Sequence, residues 1–161
     1  MSAPDEPGCD RLIMTEADFY VLPASEPEAR SLFLCRLCEK VMGLGHPIFI
    51  HCDHQSEAEH LDQFLWEFKP DAFLPHTLIG ATTAAPIRIG WGKQRPDHQR
   101  VFINMALAIP EDALGFERIL EIVVQETSVL AATRSNYRLY QDSQIKVRMN
   151  DMRRNKQPHQ Q

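Results

Sequence analysis

A chain of 161 residues with 43% hydrophobic and 24% charged side chains has room for one domain with its own core, and its composition is neither fibrous nor that of a disordered chain. A formal net charge of −5 argues against a protein whose main ligand is the nucleic-acid backbone. The acidic opening Met1-Ser-Ala-Pro-Asp-Glu lacks the positive region of a signal peptide, and no apolar run approaches the length of a membrane span, so the expectation is a soluble cytoplasmic protein.

Residues 1–15 are rich in Pro, Asp, Glu and Ser and read as a flexible lead. Asp18 to Leu22 reads as a first strand ended by Pro23. Ser25 and Glu28 then bracket a capping box around Pro27, and Ala29 to Met42 has helical periodicity that stops at Gly43 and Gly45. Pro47-Ile-Phe-Ile-His-Cys52 is nearly unbroken and apolar, the pattern of a strand buried on both faces of a parallel sheet. With the helix between them, strands one and two predict a right-handed βαβ unit.

Ser56 opens a second helix, with Glu57, Glu59 and Asp62 near its positive end. Leu61, Phe64, Leu65 and Phe68 recur at helical spacing toward the sheet, which leaves Trp66 on another meridian. Pro70 stops this helix, Phe73 and Leu74 resume in extended form, and Pro75 confines the segment to a sheet edge. Two readings of Trp66 and Phe73 follow from the residues: rings that cap the core, or a hot spot beside an uncovered edge. Ile87 to Trp91, Val101 to Met105 and Leu120 to Val124 read as further strands, and Glu126 to about Ser143 as the last helix. Strands alternating with helices predict a single three-layer, Rossmann-like α/β domain over residues 16–145, with a mostly parallel central sheet. Residues 146–161, without sustained apolar periodicity, read as a basic flexible tail.

Several clusters carry chemistry. His51-Cys52-Asp53-His54 falls at the carboxyl end of a buried strand, where open α/β sheets hold ligands, and offers a rival reading as a small cytoplasmic enzyme. Neighbouring strand residues point to opposite faces, however, so His51 and Cys52 do not converge on one ion. Cys35-Arg-Leu-Cys38 has CxxC spacing but lies inside a helix without a second pair, and with Cys9 and Cys52 it fits reduced thiols; no metal or cofactor is expected. Gly43-Leu-Gly45 precedes a strand where a dinucleotide fingerprint would follow one. Arg134 to Gln161 contains seven basic and two acidic residues, which suits an acidic peptide or a few phosphates. Within it Arg134, Tyr137 and Arg138 share one helix face, with Tyr140 beside Tyr137. Such a face is either plain solvated surface or a clamp for a carboxylate beside an aromatic pocket.

The run Leu61-Asp-x-x-Leu-Trp-x-x-x-Pro-x-x-Phe-Leu-Pro-His-x-Leu78, with Asp18-Phe-Tyr-Val-Leu22 upstream and Arg134-x-x-Tyr137 downstream, resembles the chi subunit of bacterial DNA polymerase III holoenzyme. The similarity runs from roughly Asp18 to Ile145. It implies a non-catalytic adaptor of DNA replication that contacts DNA indirectly, joining the clamp loader, through psi, to the C-terminal tail of the single-stranded DNA-binding protein. It implies a Trp66/Phe73 surface for psi or for a repair helicase at the same place, and a tail pocket formed by Val123, Arg134, Tyr137 and Arg138. The chain departs from the resemblance at Leu130, where chi proteins can carry a lysine.

Overall fold

The computed structural model describes residues 14–68, 74–81 and 84–153. In order they form β1 (Glu16–Val21), α1 (Pro27–Gly43), β2 (Ile48–Cys52), α2 (Gln55–Glu67), β3 (His76–Leu78), β4 (Ile87–Trp91), β5 (Val101–Asn104), a 3-10 turn (Glu111–Gly115), β6 (Arg118–Val123), α3 (Thr127–Asp142) and β7 (Lys146–Asp151). The strands lie in the order β3-β4-β2-β5-β6-β1-β7, and every neighbouring pair is parallel. This is the expected Rossmann-like α/β architecture, with a sheet more uniformly parallel than the sequence required.

Position in the sheet explains the sequence patterns. β2 is central and every residue from Ile48 to Cys52 is buried, which is why it reads as a continuous apolar run. In β1, Tyr20 turns to α1, its ring 5.3 Å from Phe33, while Phe19 turns to α3, its ring 6.2 Å from Tyr137 and 5.7 Å from Tyr140. The helices α1 and α3 therefore sandwich the sheet, and α2 lies beside α1. The second face is covered by α3 over β6 and β1. Over β2 and β5 it is covered by the 92–117 segment, where Phe116 sits edge-on to Phe102 at 5.0 Å.

From β1 the chain crosses to β2 past β6 and β5, whereas from β6 it passes β1 to reach β7. The winding direction reverses between β6 and β1, which places the topological switch point at their carboxyl ends. The side chain of Arg30 seals that end, donating from Nε to Ile122 O at 3.0 Å and from Nη1 to Met105 O at 3.0 Å.

Two expectations are corrected. The capping box of Ser25 and Glu28 does not form: Pro27 occupies the first turn, where its missing N–H is tolerated, and the N-cap is Glu26 with no side-chain cap bond. Residues 146–151 are not a mobile tail but edge strand β7, parallel to β1 in the register Glu16↔Lys146 to Val21↔Asp151. Arg148 explains the order: its Nε donates to Asp18 at 2.8 Å and its Nη2 to Glu16 at 2.7 Å. Asn150 Nδ2 adds a bond to Phe19 O at 3.2 Å. The remainder of that expected tail, 154–161, and residues 1–13 of the expected lead lie outside the described residues. Thr15 is anchored, donating to Leu114 O and Phe116 O at 2.9 and 2.6 Å.

Candidate functional site

The last helix offers the chemistry for an acidic ligand. It begins at Glu126, whose carboxylate accepts from the Ser128 hydroxyl at 2.5 Å and from Val129 N–H at 3.2 Å, and these bonds lower its carboxyl from the usual range. Val129, Asn136 and Tyr140 are its buried side. Tyr137 is half-buried against Phe19, and its hydroxyl accepts from Gln141 Nε2 at 3.0 Å. Arg134 and Arg138 stand exposed on the same flank, and among the described residues neither meets a carboxylate. Val123, only 2% exposed, ends β6 in register with Val21, on the face α3 covers, and so offers an apolar floor and no rim. Arg134, Tyr137 and Arg138 thus share one flank of α3, and Val123 lies buried in the sheet face that this helix covers. Leu130, one turn earlier, is partly buried against the core.

The helix is held in place by a polar group buried below it. Glu121, in β6, accepts from Tyr140 Oη at 2.5 Å, from Asn104 Nδ2 at 3.3 Å and from Asn136 Nδ2 at 3.4 Å. Burial nevertheless pushes its carboxyl up to about 7, against the pull of those donors. Asn136 extends the network to the loop after β5: its Oδ1 accepts from Ile109 N–H at 3.1 Å, and its Nδ2 donates to Leu107 O at 2.9 Å. The register of β5, β6 and α3 is therefore tied through one carboxylate.

The second expected surface lies at the end of α2. Leu61 and Leu65 are buried, Phe64 and Phe68 half-buried, and Trp66 is 58% exposed, as its different meridian implied. The Trp66 ring rests on His76 of β3 with centroids 4.4 Å apart. His76 is pinned in turn, Nδ1 against Leu74 O at 2.5 Å and Nε2 against Asp62 O at 2.9 Å, so an exposed indole sits on a fixed base. Phe73 lies outside the described residues.

The rival enzyme site does not assemble. His51 faces Phe102 and Phe49, while Cys52 faces Arg30 and Leu61 on the opposite side of the sheet. Burial pushes the Cys52 thiol up to about 12, and burial together with Arg95 holds His51 down to about 4. A protonated thiol and a neutral imidazole on opposite faces make no nucleophile and base pair. Cys35 and Cys38 are likewise buried and free, and burial raises both thiols. Among the described residues no group of three or more His, Cys, Asp or Glu is placed to hold a metal ion, and no helix is long and apolar enough to cross a membrane.

Sequence reasoning missed Glu121 and Arg30. The signal for Glu121 was a single carboxylate within the apolar run Ile119-Leu-Glu-Ile-Val-Val124. For Arg30 there was none, because its acceptors are backbone carbonyls of strands far along the chain.

A family profile described as DNA polymerase III chi subunit, HolC, matches residues 14–148. Among individual proteins, the chain is 36% identical over 129 residues to the DNA polymerase III subunit chi of Pseudomonas aeruginosa, covering 80% of this chain and 91% of that protein. The protein of the same name from Haemophilus influenzae is 28% identical over 125 residues, with 76% and 87% covered. The one from Escherichia coli is 26% identical over 134 residues, with 79% and 91% covered.

Proposed function

The chain belongs to the DNA polymerase III chi subunit family and is a DNA replication accessory subunit. From that premise we propose that it is a non-catalytic cytoplasmic adaptor linking the clamp loader, through psi, to the C-terminal tail of the single-stranded DNA-binding protein. Trp66, with Phe73, receives psi or a repair helicase that uses the same surface. Arg134, Tyr137 and Arg138, with Val123, receive the tail. DNA is met indirectly, through that partner.

One observation carries the reading of α3. Arg118 and Arg148 are held by Glu16 and Asp18 at 2.7–3.7 Å, whereas Arg134 and Arg138 are exposed, without a carboxylate partner among the described residues, on the helix flank that also carries a half-buried phenol. Cations left unpaired beside an aromatic ring suit a ligand that ends in a carboxylate and carries an apolar anchor. The test is calorimetric titration of the tail peptide into the full chain at two salt concentrations. Affinity on the order of micromolar, roughly −8 kcal/mol, is expected, and it should weaken as salt rises. Arg134→Ala should remove about 1.5–3 kcal/mol, the range for a hydrogen bond to a charged group. Equal binding to wild type and Arg134→Ala would refute the assignment.

A further inference from the structure

A cavity of about 530 Å³ opens at the amino end of the sheet, where β1, β5 and β6 begin beside the carboxyl end of α1. None of its lining residues belongs to α2 or α3, so it is separate from both surfaces described above. Its size falls within the range of ligand-binding pockets. Tyr20, Leu37, Val41 and Leu120 supply an apolar interior. Leu44 and Met14, two of the exposed large hydrophobic side chains, line it at 67% and 71% exposure.

The charges around it are unevenly committed. Glu117 is bound by Arg100 Nε at 3.0 Å, and Glu16 lies 3.7 Å from Arg118 and 2.7 Å from Arg148. Arg100 also donates to His46 Nδ1 at 3.0 Å, which leaves the His46 ring proton on Nε2, available to an acceptor. Lys40 has no carboxylate partner among the described residues. Both carboxylates are neutralised from within, and an ammonium and an imidazole N–H remain to be met from outside. Exposed apolar side chains at such a mouth mark a protein contact more often than bare solvent.

We propose that this cavity seats an apolar side chain of an acidic segment from a partner protein, with Lys40 and His46 meeting the segment's carboxylates. A protein is the fitting occupant because the chain is a subunit of an assembly, and a segment that pairs an apolar residue with acids matches the apolar interior and the surplus of donors together.

The probe is a fluorescein-labelled synthetic peptide of alternating Leu and Asp, titrated into the full chain by fluorescence anisotropy, with amide NMR shifts locating the contact. Control peptides carry Lys in place of Asp, or Ser in place of Leu. Saturable shifts centred on Leu37, Val41 and Leu44 are expected, with both controls at least about fivefold weaker. Lys40→Glu should weaken the acidic peptide about threefold to fivefold, the scale of one exposed ion pair. Leu44→Asp should weaken it as well, and should that variant fail to fold, Lys40→Glu decides. Arg134→Ala should leave the saturable shifts at Leu37, Val41 and Leu44 unchanged, which separates this contact from any binding of the acidic peptide on α3. The proposal is overturned if the Lys peptide binds as well as the Asp peptide, if shifts near the end of α1 do not saturate, or if Lys40→Glu has no effect. Decanoate binding as tightly as the peptide would also overturn it, by reassigning the cavity to a small organic acid.

Discussion

In the β5-β6-β1-β7 half of the sheet Glu121 collects three donors, Arg30 caps the strand carbonyls, and Glu16 and Asp18 are shared by Arg118 and Arg148. In the β3-β4-β2 half and the loop above it, His51 Nδ1, Thr77 Oγ1, Arg88 Nε and His98 Nε2 are buried with no hydrogen-bond partner among the described residues. Thr77 and Arg88 are register partners, and Arg88 is also in register with Phe49, two residues before His51, so the strand members of this set share the sheet face of α3, on the part that α3 does not reach. A buried polar group without a partner costs about 1–3 kcal/mol. The halves thus divide the work: one is closed by long-range polar bonds and holds α3 as a rigid platform, and the other tolerates orphan groups and carries the exposed Trp66.

The two halves should part most clearly under a change of pH, because each buries a group whose titration burial displaces, Glu121 in one and His51 in the other, and the two shift in opposite senses. Glu121 keeps its proton up to about 7 when folded but loses it near 4.5 when unfolded, so its contribution to stability is full below about 4.5 and is lost as pH rises toward 7. His51 is held down to about 4 when folded against 6.5 when unfolded, so its contribution is full above about 6.5 and is lost as pH falls toward 4. Each shift is worth on the order of 3 kcal/mol over its full range, and between about pH 4.5 and 6.5 the two slopes oppose and offset one another in the wild type. Glu121→Gln should leave a rise in stability with pH, and His51→Gln a fall, read from denaturant midpoints at pH 4.5, 5.5, 6.5 and 7.5. Parallel profiles for all three proteins would show that the two groups do not titrate as their surroundings require.

Truncation should separate the halves next. Asn136→Ala removes the bonds to Ile109 N–H, Leu107 O and Glu121 together, and should cost roughly 2–3 kcal/mol. His51→Leu replaces an orphaned ring by an apolar side chain of similar size and should be neutral or stabilising by about 1 kcal/mol. Urea unfolding of both variants at pH 7.5 checks the pair. A destabilising His51→Leu would mean that the ring is satisfied after all.

Smaller again is the effect of Trp66→Ala on folding, since the indole is 58% exposed and only its stack on His76 is lost. Its effect on psi binding should be about 2 kcal/mol or more if the ring is a hot spot. Surface plasmon resonance against psi, with thermal unfolding in parallel, distinguishes the two. A large loss of stability with unchanged psi affinity would return Trp66 to the core.

What could be read in advance follows the range of the interactions. β2 and α3 were legible because burial on both faces and a helical stripe are local patterns. Trp66 was legible for the same reason, since its meridian follows from spacing alone. β7 was not: Lys146-Val-Arg-Met-Asn-Asp151 alternates polar and apolar over only six residues, and its order depends on Asp18, 130 residues from Arg148. The Glu121 network and the cavity beside α1 depend on the strand order, which brings β5, β6 and β1 together and is written in no single segment. Val123, expected from the resemblance as an apolar neighbour of the tail pocket, is buried at the end of β6, a burial that its place in an apolar run foretells but its role does not.

The last test adds to the closed half. Leu130 stands four residues before Arg134 on α3 and is partly buried, so the stem of a lysine could follow the leucine's path while its ammonium reaches solvent beside the guanidinium. Two like charges four residues apart, near the positive end of the helix, should destabilise the fold by only a few tenths of a kcal/mol. Against an acidic tail the same added charge should help, by the ~0.2–1 kcal/mol of an exposed ion pair, or up to about fivefold in affinity. Leu130→Lys should therefore bind the tail peptide more tightly at low salt and lose most of that gain at high salt, where screening removes the exposed pair first. Leu130→Met, which keeps the apolar contact and adds no charge, should bind like wild type. A gain shared by the methionine variant, or one that persists at high salt, would mean that packing and not charge sets affinity on this face, and that the open cations of Arg134 and Arg138 do not steer the tail.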